Sequence, residues 1–321
     1  MVHALETPKS GLGSENRYRL VTRSDFDGLV CATLLRELNL IEEIFFTHPK
    51  DMQDGKIEIG EGDITTNLPY VPGVHLAFDH HHSETVRIGK RDNHIIDAHA
   101  PSAARVVWNH YGQEKAFPRI DPLMMEAVDK CDAAQLNQDD VINPDGWMLL
   151  NYIMDARSGL GRFKEFRISN YDLMMELIEM CRNKPVLEIL EEPDVKERVE
   201  VYLSSQEKCI DQLKRCATVD GNLVRIDLRD EEVIWPGNRF LVYTLFPDCN
   251  ISMHILPGRE PGITVFAIGK SIFNRSSNTN VGELCLAFHG GGHAAAGTCQ
   301  VPNAQAEKTG MALAARIKLD G

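Results

Sequence analysis

The chain has 321 residues, enough for two domains, and carries 34 Lys and Arg against 47 Asp and Glu, a formal net charge of −13. That balance excludes the wrapping of duplex nucleic acid by a broad basic surface, which needs cations to displace the counterions of the phosphates. A small phosphorylated substrate stays open, because a carboxylate-rich site can hold divalent cations that reverse the local sign.

Hydrophobic residues make up 43% and charged residues 25%, the composition of an ordinary folded protein with material for two cores. No apolar run approaches the roughly 18 residues needed to span a bilayer. The first residues lack the basic, apolar, small-residue order of a signal peptide. The eight cysteines contain no C-x-x-C pair and read as buried reduced thiols. These features lead us to expect a cytoplasmic protein with no membrane partner.

In chain order, residues 1–16 read as a flexible polar leader. Arg19 to Thr22 form a strand ending in the turn RSDFDG, and Leu29 to Leu38 carry apolar residues at helical spacing. Ile41 to Thr47 form a second strand. Ile57 to Asp63 read as a loop-and-strand stretch, and Val74 to Phe78 as a strand ending directly at Asp79. Strands alternating with helices predict a parallel α/β sheet, whose polar residues collect at the carboxyl ends of the strands. Amphipathic helices are expected at Pro101 to Tyr111, with Ser102 as N-cap, and at Pro122 to Ala134. A long helical region follows Tyr171 and breaks near Pro185 and Pro193; Val195 to Cys216 read as a connecting helix. After Gly221 four short strands are expected: NLVRIDL, RFLVYTLF, ISMHIL and ITVFAIG. The expected division is therefore 17–194 for the first domain, 195–216 for the linker and 217–321 for a smaller α/β domain.

Three clusters sit at expected strand ends. Asp25-x-Asp27-Gly28 presents two carboxylates and a glycine that lets the backbone turn into a helix, a pattern suited to hard divalent cations. Asp63 follows an apolar-glycine stretch and alone reads equally as a turn residue. Asp79-His80-His81-His82 follows a buried strand; imidazole suits manganese, zinc or iron, and the neighbouring carboxylate can orient a ring. Asp129 and Asp132 lie three apart on one helix face. Trp108, Trp147, Trp235 and His254 read as core or interface residues, and 155–162 as a surface loop.

Taken in order, Asp25-x-Asp27-Gly28, Asp63, Asp79-His80-His81 and Asp132 resemble the DHH phosphoesterase superfamily. Phe288-His289-Gly290-Gly291-Gly292-His293, preceded by Arg275-Ser276, resembles the G-G-G-H signature of its associated C-terminal domain. The resemblance implies an active site in the cleft between the two domains, with one or two Mn²⁺ or Mg²⁺ per chain. Asp25, Asp27, Asp63, His80 and Asp132 would be the ligands and Asp63 the bridge. Asp132 is preferred to Asp129 because Ala133 supplies the small residue that follows. His81 would face the phosphate, supported by Asp79. Arg275 and Ser276, Gly290 to Gly292 and His293 would hold the substrate. The family usually has His or Asp at the position of Arg23. A guanidinium cannot ligate a cation, so the first metal site is expected to be weakened or lost, with Arg23 turned to the phosphate instead or His48 completing the site. The length and the G-G-G-H ending are most similar to nanoRNase, pAp phosphatase and exopolyphosphatase-related members. They imply a phosphoester substrate that is a short oligonucleotide, a small nucleotide or polyphosphate, with a homodimer plausible. The contrasting reading is a nucleotide or phosphate sensor that has lost hydrolysis.

Overall fold

A computed structural model describes residues 17–163 and 165–321; the expected leader, 1–16, lies outside the described residues. The chain forms two compact units. One comprises the residues up to Asp132 together with Met174–Pro185, the other Ala133–Leu173 with Val186–Gly321.

The first unit opens with β1 (Tyr18–Arg23), α1 (Phe26–Glu37), β2 (Ile41–Thr47), α2 (Pro49–Gln53), β3 (Asp63–Thr66) and β4 (Leu76–Asp79). It continues with α3 (His82–Ile88), β5 (His94–Ile96), α4 (Ala103–Tyr111) and α5 (Pro122–Asp132). The five strands make the expected parallel sheet, in the order β2-β1-β3-β4-β5. Leu20 and Val21 of β1, Ile64 of β3 and Phe78 of β4 are buried in its core, and α1 is buried from Phe26 to Leu35. Such a helix has no solvent face to mark with charge, which is why its sequence is apolar almost all round. Ser102 caps α4 as expected, its Oγ accepting from Arg105 N at 3.0 Å. The order reverses between β1 and β3: the chain runs outward from β1 to β2, then returns past β1 to β3. Connections leaving the carboxyl ends of two such neighbours diverge and open a crevice, the usual ligand position in an open α/β sheet.

Asp63 departs from the expected placement. The strand does not end there but begins there, and the β-branched run Ile64-Thr65-Thr66 is what extends. Asp63 pairs across with Arg19 at the amino end of the sheet, while Thr66 pairs with Thr22 at the other. At about 3.3 Å per residue, roughly 10 Å of strand separates the two positions.

The second unit contains α6 (Gln138–Ile142), α7 (Gly146–Met154), α9 (Val186–Leu190) and the 24-residue α10 (Pro193–Cys216); α8 (Asn170–Asn183) runs from it into the first unit. Then follow β6 (Ala217–Asp220), β7 (Leu223–Asp227), α11 (Leu241–Leu245), β8 (Ile251–Pro257), β9 (Ile263–Lys270) and α12 (Val281–Leu286). The chain closes with β10 (Gly291–His293), β11 (Ala296–Pro302) and α13 (Asn303–Asp320). The sheet order is β10-β11-β9-β8-β7-β6, with only β7 and β8 parallel. Its core joins Ile251, Met253, Phe266 and Ile268 to Leu313 and Ile317 of α13.

RFLVYTLF is not a strand: Leu241–Leu245 are helical. Asn238 turns the chain, its Oδ1 accepting from Phe240 N and its carbonyl from Leu241 N. Tyr243 then donates to Gly269 O of β9 at 2.6 Å and lies 2.8 Å from Ser252 of β8, tertiary bonds that override the strand preference of its residues. None of the eight cysteines is in a disulfide. Trp108 and Trp147 are buried, whereas the partly exposed Trp235 stacks with Phe163 under Lys208. Among the described residues no helix is long and apolar enough to cross a membrane.

Candidate active site

The carboxyl ends of β1 and β4 and the end of α5 bring together Asp27, His80 and Asp132. One ligating atom of each lies within 4.8 Å of those of the other two. Asp27 is 1% exposed and stands in the first turn of α1. Its placement depends on Gly28: a Cβ there would run into Arg23 O and lie 2.8 Å from Thr22 Oγ1, so only glycine lets α1 start this close to β1. Asp27 Oδ2 accepts from Ala103 N at 2.9 Å and Oδ1 from Ala104 N at 2.7 Å, the first amides of α4. A carboxylate there satisfies donors that the helix itself leaves open and sits at the positive end of its dipole.

His80 is oriented from behind. Its Nδ1 lies 3.2 Å from Ala100 O, so Nδ1–H donates to that carbonyl and Nε2 turns to the acids, 2.9 Å from Asp132 Oδ2. That contact is an ion pair without the alignment of a hydrogen bond, and Nε2 is otherwise a buried nitrogen with no partner. A histidine with Nδ1 tied to a backbone carbonyl is oriented to coordinate a cation through Nε2 once that nitrogen gives up its proton.

The charges of the pocket act on one another. Burial, and then the Asp132 charge, push Asp27 well above the ordinary carboxylate range. Burial opposes charge on His80, but Asp132, Asp27 and Asp79 outweigh it and raise the imidazole to about 9. Asp132 is held below the ordinary range: its burial is outweighed by His80, with Arg23 and His81 adding to the effect. Without a cation, the pocket therefore keeps a proton on His80. Oxygen and imidazole donors in this number suit Mn²⁺ or Mg²⁺.

Asp79, 1% exposed, receives His80 N at 2.8 Å, His81 N at 3.3 Å and His81 Nδ1 at 2.7 Å, all on Oδ1. The His81 side chain is one-third exposed, and Nδ1 is the ring nitrogen held by Asp79. Asp129 is engaged elsewhere, by both Arg105 Nε at 2.9 Å and Ser102 Oγ at 2.7 Å.

Asp25 stands beside the three-residue group rather than in it. Its Oδ1 caps α1 through Gly28 N at 3.0 Å and accepts from Asn67 Nδ2 at 3.2 Å; Oδ2 pairs with Arg23 Nε at 2.9 Å. Asp63 is a correction. It lies at the far end of β3, where Oδ1 and Oδ2 take Arg19 Nε and Nη2 at 2.7 and 3.0 Å and Oδ2 takes Gly60 N at 2.7 Å. The side chain at the carboxyl end of β3 is Asn67, 1% exposed, with φ of 54°. Its sequence signal was present: the β-branched ITT marks the strand, and Asn is the residue that tolerates left-handed backbone directly after it. His48 caps α2, its Nδ1 accepting from Lys50 N at 3.1 Å.

In the second unit, Gly291 to His293 form exposed β10 rather than a loose loop, in register with Ala296 to Thr298 of β11. A Cβ at Gly290 would run into Thr298 O, and one at Gly292 into Ala296 O. Those two glycines are required by packing. Around Gly291 a Cβ would meet nothing within 4 Å, leaving its backbone open to an approaching group. Arg275 donates to Ile272 O at 3.0 Å and Ala134 O at 2.9 Å; Ser276 Oγ donates to Asn274 Oδ1 at 2.7 Å and accepts from Asn250.

No protein-family model and no curated protein matches the chain. Among solved structures, it is similar to a pGpG-specific phosphodiesterase, PggH of Vibrio cholerae. The two are 57% identical with a TM-score of 0.85, over 95% of this chain and 100% of that one. RecJ of Thermus thermophilus in complex with Mn²⁺ gives 12% identity and a TM-score of 0.46 over 94% of this chain and 52% of that one. CDC45 of Entamoeba histolytica gives 10% and 0.45 over 94% and 95%. Only the first of these similarities is strong enough to carry weight. With that identity over the full length, and the Asp79-His80-His81 run at the end of a parallel strand, the chain belongs to the DHH superfamily and is a two-domain phosphoesterase.

Proposed function

We propose that this phosphoesterase is a divalent-metal-dependent phosphodiesterase of short oligonucleotides, acting on a linear dinucleotide of the pGpG kind in the cytoplasm. The observation that carries the substrate is the full-length similarity to a protein described as pGpG-specific. The convergence of Asp27, His80 and Asp132 supports the metal dependence.

In this reading Asp27, His80 and Asp132 hold the cation. When bound, it polarises the phosphoryl group and acidifies water at neutral pH. Hydrolysis forms a bond between phosphorus and the water oxygen, breaks the bond from phosphorus to the 3′ oxygen, and moves one proton to that oxygen. Two mononucleotides result. Asp79 fixes the His81 tautomer with hydrogen on Nδ1, so Nε2 is the atom that meets the phosphoryl group or exchanges the proton. Arg23 is the cation that the first unit offers to a substrate phosphate. The second unit, taken by itself, offers the exposed Arg275, the open backbone at Gly291 and the exposed His293 as substrate-binding groups. A short chain is favoured over a long one because the protein as a whole carries a formal net charge of −13, which repels a long polyanion.

The test is purified protein with Mn²⁺ or Mg²⁺ offered pGpG, pAp and polyphosphate in parallel. Release of GMP from pGpG, abolished by chelator and restored by metal, is expected. Failure to cleave pGpG while metal is bound refutes the substrate, and preference for polyphosphate replaces it.

A further inference from the structure

The surroundings of Asp25 differ from those of the other acids. Asp25 stands at the β1 and β3 crevice, where a second cation adjacent to the first would need carboxylate oxygens. Its own are already engaged: Oδ1 by two N–H donors, Gly28 N and Asn67 Nδ2, and Oδ2 by an ion pair with Arg23 Nε. Asn67, the neighbouring side chain directly after β3, is a neutral amide. Its Nδ2 faces the acceptor-only carboxylate, and its Oδ1 is buried without a partner. Asp63, the remaining acid on that strand, is locked to Arg19 at the opposite end. Arg23 brings a positive charge that no proton loss can remove, and its field reaches Asp132.

A second dication here would therefore lose its hydration for one carboxylate already in use, one neutral oxygen and a like charge. Burying a cation without anionic partners is strongly unfavourable. We propose that the site takes one divalent cation per chain, and that Arg23, anchored by Asp25, is the fixed positive charge standing where a second cation would otherwise sit. The inference rests on the metal-dependent reading above and sharpens it. One face of the substrate phosphoryl group meets a metal, and the other a guanidinium fork. Asn67 is a positioning residue. By donating to Oδ1 it leaves Oδ2 to Arg23, and its left-handed backbone presents the amide at the strand end.

Metal-stripped full-length protein is loaded with Mn²⁺, freed of excess and counted by elemental analysis, with electron paramagnetic resonance on the same sample. One Mn²⁺ per chain with the six-line spectrum of an isolated ion is expected. The Arg23→His/Asn67→Asp protein should take a second Mn²⁺ and show an exchange-coupled spectrum. Asp is tolerated at the backbone of residue 67, and Asn67→Asp alone serves if the double substitution does not fold. Two coupled ions in the unaltered protein overturn this inference and leave the metal-dependent reading standing. No bound ion overturns both. A folded double variant that stays at one ion also overturns the inference, because the substituted groups would then not be what excludes the second.

Discussion

His80 gives a prediction whose sign reverses with metal. In the metal-free protein its imidazole is raised from 6.5 to about 9. A group raised in this way stabilises the fold in full below its unfolded value and ceases to do so as pH climbs through the folded one. The difference amounts to about 3 kcal/mol at 25 °C, an order-of-magnitude figure for a side chain only 12% exposed. Metal-free protein should therefore lose several degrees of melting temperature between about pH 6.5 and 9. Metal binding runs the other way. A cation needs the Nε2 lone pair, so below pH 9 each ion expels a proton, and apparent affinity should rise about tenfold per pH unit through the same window. Asp27, also raised, adds to the slope wherever it still carries a proton. Melting curves at pH 6.5, 7.5 and 8.5 with chelator and with Mn²⁺ test the first half. Titration calorimetry in two buffers of different ionisation enthalpy counts the protons. A flat metal-free profile, with no proton released at pH 7, would refute the electrostatic account of the pocket.

Asp63→Asn should destabilise the protein by about 1–3 kcal/mol through loss of its paired, nearly buried charge, with the Mn²⁺ count per chain unchanged. A lost ion would restore Asp63 to the ligand set. Asp79→Asn should lower kcat by about 10- to 100-fold and change its pH profile, because His81 would lose the acceptor that fixes its tautomer; an unaltered profile counts against that role. Gly290→Ala should unfold or markedly destabilise the second unit, while Gly291→Ala should keep the melting temperature and raise KM for the dinucleotide. Equal effects at the two glycines would remove the distinction between packing and substrate approach.

How far the sequence alone could go depends on what each residue's neighbours do. Arg19 to Thr22 and Ile41 to Thr47 are short strand-forming runs bounded by turns, so the parallel sheet was legible, as was the Ser102 cap. Asp25, Asp27, His80 and Asp132 follow or close recognisable elements, and it is the resemblance to the family's motif order that groups them. Asp63 has the residue type the expected chemistry needs, but the strand begins at it instead of ending there, which puts it at the opposite end of the sheet. The residue at the strand end, Asn67, carries no charge, so its type does not mark it as part of a site. RFLVYTLF has the composition of a strand, and only its bonds to Ser252 and Gly269, distant in sequence, reveal why it coils. The glycines of β10 were legible as special, but which of them serves packing depends on Thr298 and Ala296 lying behind them.

The division of the chain has a practical consequence. The first unit ends at Asp132 and is taken up again at Met174, so neither unit is one uninterrupted stretch. The returning segment is not decorative: Arg182 on it reaches Glu37 at the end of α1, which Arg119 grips from the other side. A gene fragment ending anywhere before Pro185 would omit part of this brace, and a fragment beginning after it would lack α6 and α7. A protease cut in the 133–173 stretch would leave two pieces still interlocked by their shared cores.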